Sequence, residues 1–226
     1  MDLREKNKQA RRRRILDAAA KLLQKGGAEA LTMRDLARAS KVSEMTPYNL
    51  FGSKGGIVAA LFEDAVGRVV ARSFDEMPAD PIERLFVSAE ALADAWTEDT
   101  PLFRELLRTA RESGADLSRY ADGPISLLQA GLLDATNAGL LHDDVPAPEL
   151  ARHVFVANQG VYDRWVDGEI DDATLRTNLI LALGISLLSV ATPATRKKVL
   201  ARMAKARRGS TRSKGHARKR SSTGAR

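Results

Sequence analysis

The sequence predicts an all-α protein with a short N-terminal unit and a longer helical body. Alanine, leucine and arginine are frequent, and runs of β-branched residues are few. Apolar residues recur at helical spacing, and the segments between them carry Pro, Gly or Asp. A chain of 226 residues can form one or two domains with a substantial core.

Composition argues against several classes of protein. The chain has no cysteine, which excludes disulfides, zinc–thiolate sites and cysteine catalysis. Its three histidines, His142, His153 and His216, are scattered, and they accompany neither a partnered nucleophile nor a glycine-rich phosphate loop. We therefore expect no enzyme activity, no metal site and no cofactor.

Neither the N-terminus nor the most apolar segment predicts a membrane protein. The first residues, MDLREKNKQARRRR, lack the apolar core of a signal peptide. The longest apolar run, LILALGISLLSVA at 179–191, has thirteen residues, which is short for a bilayer and suits a helix buried in protein. We expect a cytoplasmic protein with no membrane partner.

Positive charge is concentrated at the two ends of the chain. Residues 1–14 carry a net charge of +5, and residues 205–226 carry nine Lys or Arg and no acid. Residues 15–56 are mildly basic at +2, whereas residues 57–204 have a net charge of −9. A polyanion would therefore be attracted to the ends and the N-terminal unit and repelled by the middle.

The N-terminal unit reads as three helices. The first runs from about Gln9 to Lys25 and is stopped by the glycine pair at 26–27. Thr32 is a good N-cap for the second, with Asp35 three residues on in the manner of a capping box. After a short break at 40–42, Ser43 caps a third, short helix. Two short helices joined by a tight turn predict a helix-turn-helix.

A proline in the third helix fits this interpretation. With Ser43 as N-cap, Pro47 is the fourth helical residue, and the first four amides of a helix have no intrahelical partner. Its ring crowds only the carbonyl of Ser43, where the chain is half helical. Pro47 then shares a face with Phe51 and can serve as a stiff core residue. Glu44, Met45, Thr46 and Asn49 are left facing outward.

Further helices fill the rest of the chain. One continues from Ile57 to Arg72, and others are predicted at roughly 81–98, 101–113, 118–138, 147–167, 172–191 and 194–206. From Ala206 onward the Gly, Ser, Lys and Arg content predicts a disordered tail. The predicted boundaries are a basic arm at 1–14, the helix-turn-helix unit at 15–56, a helical domain at 57–205 and the tail at 206–226.

The segment ILDAAAKLLQKGGAEALTMRDLARASKVSEMTPYNLFGSKGGIVAALF resembles the DNA-binding domain of TetR-family transcriptional regulators. The matching residues are ordered and spaced over about 48 positions: Ile15, Leu16, Ala18, Ala19, Gly27, Leu31, Thr32, Leu36, Ala37, Val42, Ser43, Thr46, Tyr48, Phe51 and Lys54. The resemblance implies a three-helix helix-turn-helix domain followed by a helical ligand-binding and dimerisation domain. It also implies a ligand-responsive homodimeric repressor of a palindromic operator.

The sequence departs from the family pattern at four places. Lys41 stands where the turn usually has glycine, Pro47 replaces an aliphatic residue, and Leu50 replaces a polar or aromatic one. Gly55 and Gly56 replace an acidic pair in the first turn of the fourth helix. We expect Lys41 to be mildly strained in a left-handed turn and the glycine pair to loosen the helix start.

The resemblance and the residue chemistry assign candidate DNA contacts. Thr32, Tyr48 and Lys54 would bind phosphates, although a plain helix cap, a core aromatic and a solvated lysine are the respective alternatives. Met45, Thr46 and Asn49 would read bases, with Lys41 and Glu44 beside them. The full candidate set also contains Arg34, Ser43 and a basic arm formed by Arg11, Arg12, Arg13 and Arg14, which could equally be the solvated start of the first helix.

The acidic C-terminal domain would bind an effector and a second subunit. The helices at about 147–167 and 172–191 are apolar beyond the needs of one core, which predicts a homodimer interface, and Gly184 would allow close helix approach. Candidate effector contacts for an unknown, largely apolar small molecule are Trp96, Phe103, Leu107, Tyr120, Leu128, Phe155, Asn158, Tyr162 and Trp165. For each of these, ordinary core packing is the alternative.

A second function is compatible with the charge distribution. The basic ends could bind nucleic acid without sequence preference, as in a nucleoid-type protein. In that case removal of the ends would abolish binding, whereas the Asn49→Ala substitution would have little effect.

Overall fold

The structure, a computed structural model, describes residues 3–73, 77–112 and 118–222, with side chains described except at 65–66, 68–73, 118–122 and 210–222. Ten helices form the regular structure of these ranges, which confirms the all-α prediction. They are α1 (Leu3–Ala30), α2 (Met33–Ser40), α3 (Met45–Phe51), α4 (Lys54–Ser73), α5 (Pro81–Thr97), α6 (Thr100–Glu112), α7 (Ser118–Asn137), α8 (Ala147–Val166), α9 (Asp172–Val190) and α10 (Pro193–Ser222).

Helix α1 begins earlier than the sequence predicts and is interrupted where the sequence predicts its end. The Gly26–Gly27 pair leaves helical geometry, and Gly27 has φ +63°. Glycine adopts this region at no steric cost, so the pair marks a true break. The predicted arm at 1–14 is instead helical from Leu3 onward. Its Arg, Lys, Gln and Ala residues are all good helix formers.

The chain packs into two compact units. The N-terminal unit comprises Met1–Val70 and Asp99–Tyr120, so it contains α1–α3, most of α4, and α6. Its core joins apolar residues of several helices, namely Ile15, Ala19, Leu23, Leu36, Ile57 and Leu106. The boundary predicted at residue 56 had placed α6 with the C-terminal domain, but α6 packs on α1.

The backbone of Ala28, at the break in α1, is bonded to both α6 and α4. The backbone amide of Ala28 donates to Glu105 Oε1 over 2.8 Å, and the carbonyl of the same residue accepts from the ammonium of Lys54. A Cβ at Gly27 would lie 2.7 Å from Glu105 Oε1, the mobile end of a long side chain, so the positive φ is the stronger reason for glycine there. The break in α1 is therefore held by one residue of α4 and one of α6.

The C-terminal unit comprises Ala71–Glu98 and Ala121–Arg226 and is built around α9. Helix α9 packs against α5, α8 and α10. Its buried side chains include Leu175, Leu179, Leu183 and Leu187. Among the helices that the structure describes, α9 is the one with the length and apolar composition to cross a membrane. Its contacts with three neighbouring helices are those of a core helix.

Gly184 permits a close helix approach inside the chain. A side chain at this position would lie 2.6 Å from Cγ of Met203 on α10. The sequence predicted close approach at Gly184 in the setting of a subunit interface. The structure instead uses it for the α9–α10 contact, because α10 folds back over this face of α9.

Helix α10 continues past Ala206, where the sequence predicted a disordered tail. Its backbone is helical to Ser222. The tail is helical because it contains several Ala, Arg and Lys residues, which have high helix propensity. The charge pattern of the tail is unaffected by this difference.

Ion pairs fasten α5 to α9 and α10. Asp80 caps α5 by accepting from the amides of Ile82 and Glu83, and its carboxylate also bonds Lys198 on α10. The Lys198 hydrogen bond holds the pKa of Asp80 below its usual value, with burial opposing the shift. Farther along α5, carboxylates pair with Arg202 and Arg176: Arg202 with Glu83 and Glu90, and Arg176 with Glu90 and Asp94.

Candidate functional site

Helix α2 begins at the cap that the sequence predicts. Thr32 has extended backbone angles, and its Oγ1 accepts from the amide of Asp35 over 3.1 Å. The same hydroxyl donates to the Asp35 carboxylate over 2.7 Å. Because the cap uses both functions of the hydroxyl, any phosphate contact at Thr32 falls to the exposed helix N-terminus around it.

The turn after α2 passes through Lys41 in the left-handed region, at φ 55° and ψ 49°. It is the only non-glycine residue with positive φ in the part of the chain that the structure describes. The amide of Val42 closes the turn by donating to the carbonyl of Ala37 over 3.0 Å. The expectation of a left-handed lysine is confirmed, and the exposed side chain extends from the turn between the two helices.

Replacing Lys41 by glycine should raise the free energy of unfolding by about 1 kcal/mol, because glycine removes the left-handed penalty. Chemical denaturation measures the change. The exposed Lys21→Gly substitution inside α1 is the control, and it should lower stability by a similar amount. A destabilised Lys41→Gly protein would contradict the strain assigned to this turn.

Helix α3 begins one residue later than predicted. Its first residue is Met45, and Glu44 occupies the N-cap position without a side-chain cap bond. Ser43, predicted to be the cap, instead shares a 2.8 Å hydrogen bond between its hydroxyl and that of Thr46. The carbonyl of Ser43 accepts from the Thr46 amide in a tighter turn that leads into the helix. The Ser43 cap prediction is therefore wrong.

Pro47 remains in the first turn of α3, where it lacks only an amide that has no intrahelical partner. It is buried, as its shared face with Phe51 predicts. The proline therefore stiffens the start of α3 at little cost in hydrogen bonding and anchors one side of the helix in the core.

The opposite face of α3 is open. Met45 is 62% exposed, Tyr48 is 47% exposed and Asn49 is exposed, whereas Thr46 is half-buried. Large apolar and amide side chains on one exposed face give both groups needed in a major groove, a surface for thymine methyls and a bidentate partner for adenine. Glu44 lies beside them. Its carboxylate forms an ion pair with Arg34 of α2 over 3.7 Å, so Arg34, a predicted DNA contact, already has a partner within the protein.

The junction of α3 and α4 is very tight. Gly52 ends α3 at φ 74°, and the Ser53 hydroxyl accepts from the amide of Gly56 over 3.1 Å, which caps α4. A Cβ placed on Gly56 would lie 1.9 Å from the backbone oxygen of Phe51. The sequence predicted a loosened helix start here. The structure shows that the missing side chain lets the end of α3 pack directly against α4.

The arginine cluster of α1 is divided between solvent and the protein. Arg12 lies over the Phe51 ring at 4.8 Å and reaches Glu63 at 3.8 Å. Arg13 pairs with Asp64 over 3.0 Å and with Asp17 over 3.3 Å. Two arginines therefore brace α1 against the end of α3 and against α4. Arg11 and Arg14 are exposed on the helix, and Arg11 Nε donates to the backbone of Asn7.

Lys54 has a structural role in addition to its predicted one. It is half-buried at the start of α4, and its ammonium bonds the carbonyl of Ala28. An ammonium has three donors, so this bond leaves capacity for a phosphate. Contact with DNA at Lys54 stays a prediction, and the alternative of a purely solvated lysine does not fit its burial.

The predicted effector contacts fall in both units. Trp96 and Trp165 are buried in the C-terminal unit, and Leu128, Phe155, Asn158 and Tyr162 are half-buried there. Phe103 is buried and Leu107 half-buried in the N-terminal unit. The side chain of Tyr120 lies outside the described residues. Trp165 Nε1 donates to Asp172 over 2.8 Å, which gives this tryptophan a structural partner.

Two of these residues carry buried polar atoms that the protein leaves unsatisfied. Asn158 Oδ1 and the Tyr162 hydroxyl are inaccessible to solvent and have no hydrogen-bond partner in the described part of the chain. The Trp96 ring packs against Tyr162 with centroids 5.5 Å apart. In the described ranges, no group of three or more His, Asp or Glu side chains is arranged to hold a metal ion.

Sequence reasoning missed the residues that position α3 and α1. The Gly56–Phe51 contact, the stacking of Arg12 on Phe51 and the Glu105–Ala28 bond all support the helix-turn-helix. The glycine pair at 55–56 was the only signal of this kind, since an uncommon glycine in a helix start often marks a close backbone approach.

Comparison with known proteins shows which of them have a similar helix-turn-helix. Residues 15–61 match the family model of bacterial regulatory proteins of the tetR family. The match covers the helix-turn-helix and the start of α4, and the predicted fold is present around it. This part of the chain is therefore similar to the DNA-binding domain of tetR-family regulators. Regulators of the TetR family are transcription factors and not enzymes.

Individual relatives extend the likeness. The HTH-type transcriptional repressor KstR of Rhodococcus jostii (strain RHA1) is 32% identical over 109 residues, which is 48% of this chain. The aligned segment covers 51% of the length of KstR, so this chain spans about half of that relative. Full-length TylP, a TetR regulator from Streptomyces fradiae, is 21% identical with a TM-score of 0.62, covering 88% of this chain and 98% of its own.

A gamma-butyrolactone receptor has a similar fold over most of this chain. It is 18% identical, has a TM-score of 0.59, and covers 90% of this chain and 99% of that chain. At this identity the likeness concerns the fold alone. It extends through the C-terminal unit, where the sequence pattern of the family is weakest.

Proposed function

We propose that the protein is a sequence-specific DNA-binding transcriptional regulator, a homodimeric repressor that binds a palindromic operator in the cytoplasm. The open face of α3 carries the proposal, because Met45, Tyr48 and Asn49 are exposed together on a short helix braced from behind. Pro47 is buried in the first turn of that helix, and Gly56 and Arg12 both contact Phe51 at its end. A rigid helix with an exposed reading face suits insertion into a major groove.

Dimerisation is supported by exposed apolar side chains on the helices where it is predicted. Val156 on α8 is 61% exposed and Ile185 on α9 is 60% exposed. Helix α9 is otherwise a core helix of its own unit, so the interface would use the remaining open side rather than a whole apolar surface. One α3 helix contacts too few bases for specificity, and two related by a two-fold axis would read a palindrome.

An effector would act through the C-terminal unit. A small molecule can release DNA only if it binds more tightly to a conformation that fits the operator poorly. The fold is similar to that of a gamma-butyrolactone receptor, which supports small-molecule binding in this unit. The unsatisfied oxygens of Asn158 and Tyr162 support the same role, since they leave hydrogen bonds for a ligand to make.

The second candidate function is nucleic-acid binding without sequence preference. The charge of residues 205–226, nine Lys or Arg and no acid, favours attraction to any polyanion. The two functions differ in the part of the molecule that they need. Sequence-specific recognition depends on α3, whereas nonspecific binding depends on the two basic ends of the chain, of which the tail carries the larger charge.

Selection from a random duplex pool at fixed salt tests the proposal. We expect enrichment of a palindrome, and we expect the Asn49→Ala substitution to weaken binding to it by about 5- to 150-fold, the value of one bidentate base contact. Asn137→Ala, which removes an exposed asparagine at the end of α7, is the matched control and should bind normally. Tight binding with no enriched sequence would overturn the proposal.

Deletion of residues 209–226 separates the two functions. If recognition depends on α3, the truncated protein keeps the palindrome and loses only salt-dependent affinity that is independent of sequence. If the basic tail is the binding surface, the truncated protein loses most of its affinity for all DNA, and Asn49→Ala has little effect.

A further inference from the structure

The interior of the C-terminal unit contains a pair of unsatisfied oxygen atoms on one helix. Asn158 and Tyr162 are four residues apart on α8, so their side chains emerge from the same face in successive turns. Asn158 Oδ1 and the Tyr162 hydroxyl are both shielded from solvent, and neither meets a hydrogen-bond partner in the described part of the chain. Buried polar atoms in proteins are normally paired, so this pair needs a partner.

The phenol of Tyr162 is neutral and available as a donor. Burial raises its pKa well above the ordinary value, and the Trp96 indole, whose N–H is the nearby donor, opposes that rise. The two rings pack at 57° with centroids 5.5 Å apart. A neutral phenol keeps its proton, so the Tyr162 hydroxyl can donate to an acceptor placed beside it.

An alcohol has both of the hydrogen-bonding functions that these two atoms lack. An alcohol hydroxyl accepts a hydrogen bond at its oxygen from Tyr162 and donates its own proton to Asn158 Oδ1. A methyl ether has the oxygen but no proton, and therefore it could serve Tyr162 but not Asn158 Oδ1.

The pairing of cations within the C-terminal unit disfavours an anionic ligand. The cations that fasten α5 to α9 and α10, Arg176, Arg202 and Lys198, are each paired with carboxylates of α5 or its cap. A carboxylate buried beside Tyr162 would find no free positive charge among these three groups, and burial of an unpaired charge is costly. The remaining core of the unit is apolar, with Leu150, Val154 and Phe86 among its members.

We propose that the Asn158–Tyr162 pair binds the hydroxyl group of a neutral, otherwise apolar effector, with Trp96 packed beside it. The proposal rests on the proposed function, because it specifies the chemistry of the molecule that the C-terminal unit would sense. The hydroxyl provides specificity, and the apolar remainder of the effector replaces contacts of the core.

Matched probes test the hydroxyl requirement on the full-length protein. Isothermal titration would compare 1-hexanol, 1-octanol and 1-decanol with the methyl ethers and carboxylates of equal chain length. We expect at least one alcohol to bind about tenfold or more tightly than its ether and its carboxylate. Equal binding of alcohol and ether, tighter binding of the carboxylate, or no binding by any alcohol would overturn the proposal.

Two core variants and one control locate the effect. Asn158→Leu should abolish the preference for the alcohol over the ether, and Tyr162→Phe should weaken the binding of both, while the exposed-site control Asn137→Ala leaves both affinities unchanged. Since each core variant removes an unsatisfied buried atom, the melting temperature should stay level or rise. A fall in the melting temperature, or an alcohol preference that survives Asn158→Leu, would contradict the assignment.

The two proposals fail in different experiments. If random-pool selection yields a palindrome but alcohols show no advantage, only the effector chemistry is wrong. If alcohols bind as expected but no DNA sequence is enriched, the unit binds a hydroxylated ligand and the regulatory function is wrong.

Discussion

The Gly56→Ala substitution is expected to destabilise the N-terminal unit by about 3 kcal/mol and to weaken operator binding by at least tenfold. An added Cβ would lie 1.9 Å from the carbonyl oxygen of Phe51. The Cβ is attached directly to the backbone of α4, and the oxygen belongs to the backbone of α3. No rotamer change relieves such a contact, so the end of α3 must move away from α4. Denaturant unfolding and binding to the selected palindrome measure the two effects.

Gly67 supplies the matched control in the same helix. It lies within α4, it is exposed, and a Cβ there meets no atom within 4 Å. Gly67→Ala should therefore raise stability by about 0.5–1 kcal/mol through helix propensity alone. If the two alanine variants were equally stable, the close approach at Gly56 would not be what sets the position of α3.

Charge introduced at Val156 and Ile185 should have the largest effect on DNA binding. In the double variant Val156→Arg, Ile185→Arg, a two-fold axis would bring four like charges into an apolar interface. We expect a monomer in analytical ultracentrifugation at micromolar concentration. Affinity for the full palindrome should fall by 100-fold or more, because each α3 helix would then bind its half-site alone.

Two controls show whether this loss comes from the interface. Leu200→Arg places the same charge on α10 at a side chain that is 47% exposed, and it should leave the dimer intact. The double variant should retain the wild-type affinity for a single half-site. A dimeric double variant would show that the subunits associate through another surface.

The features predicted correctly from the sequence are those encoded within a few residues. The Thr32 cap with Asp35, the left-handed Lys41 and the break at the glycine pair each depend on neighbours no more than five positions away. The cap predicted at Ser43 failed on the same scale. A hydroxyl at Thr46 offered Ser43 a competing partner, and the helix began one residue later.

Contacts between distant segments could not be predicted, because they leave no pattern in the local sequence. Glu105 reaches Ala28 across 77 positions, and nothing in the local sequence of α6 distinguishes it from a helix of the C-terminal domain. Effector residues were chosen by type, but type does not decide whether a side chain is already satisfied. Trp165 and Tyr162 are both large amphipathic aromatics, yet Trp165 bonds Asp172 and Tyr162 has an open hydroxyl.

The return of α6 to the N-terminal unit constrains how this protein can be recombined. The unit is assembled from two stretches of chain, Met1–Val70 and Asp99–Tyr120, with α5 between them assigned to the other unit. A chimaera made with a single crossover near residue 70 would transfer the helix-turn-helix without α6, the helix whose Glu105 bonds the Ala28 amide. A functional exchange of DNA specificity therefore needs two crossovers, or a donor whose α6 offers a carboxylate at the position of Glu105.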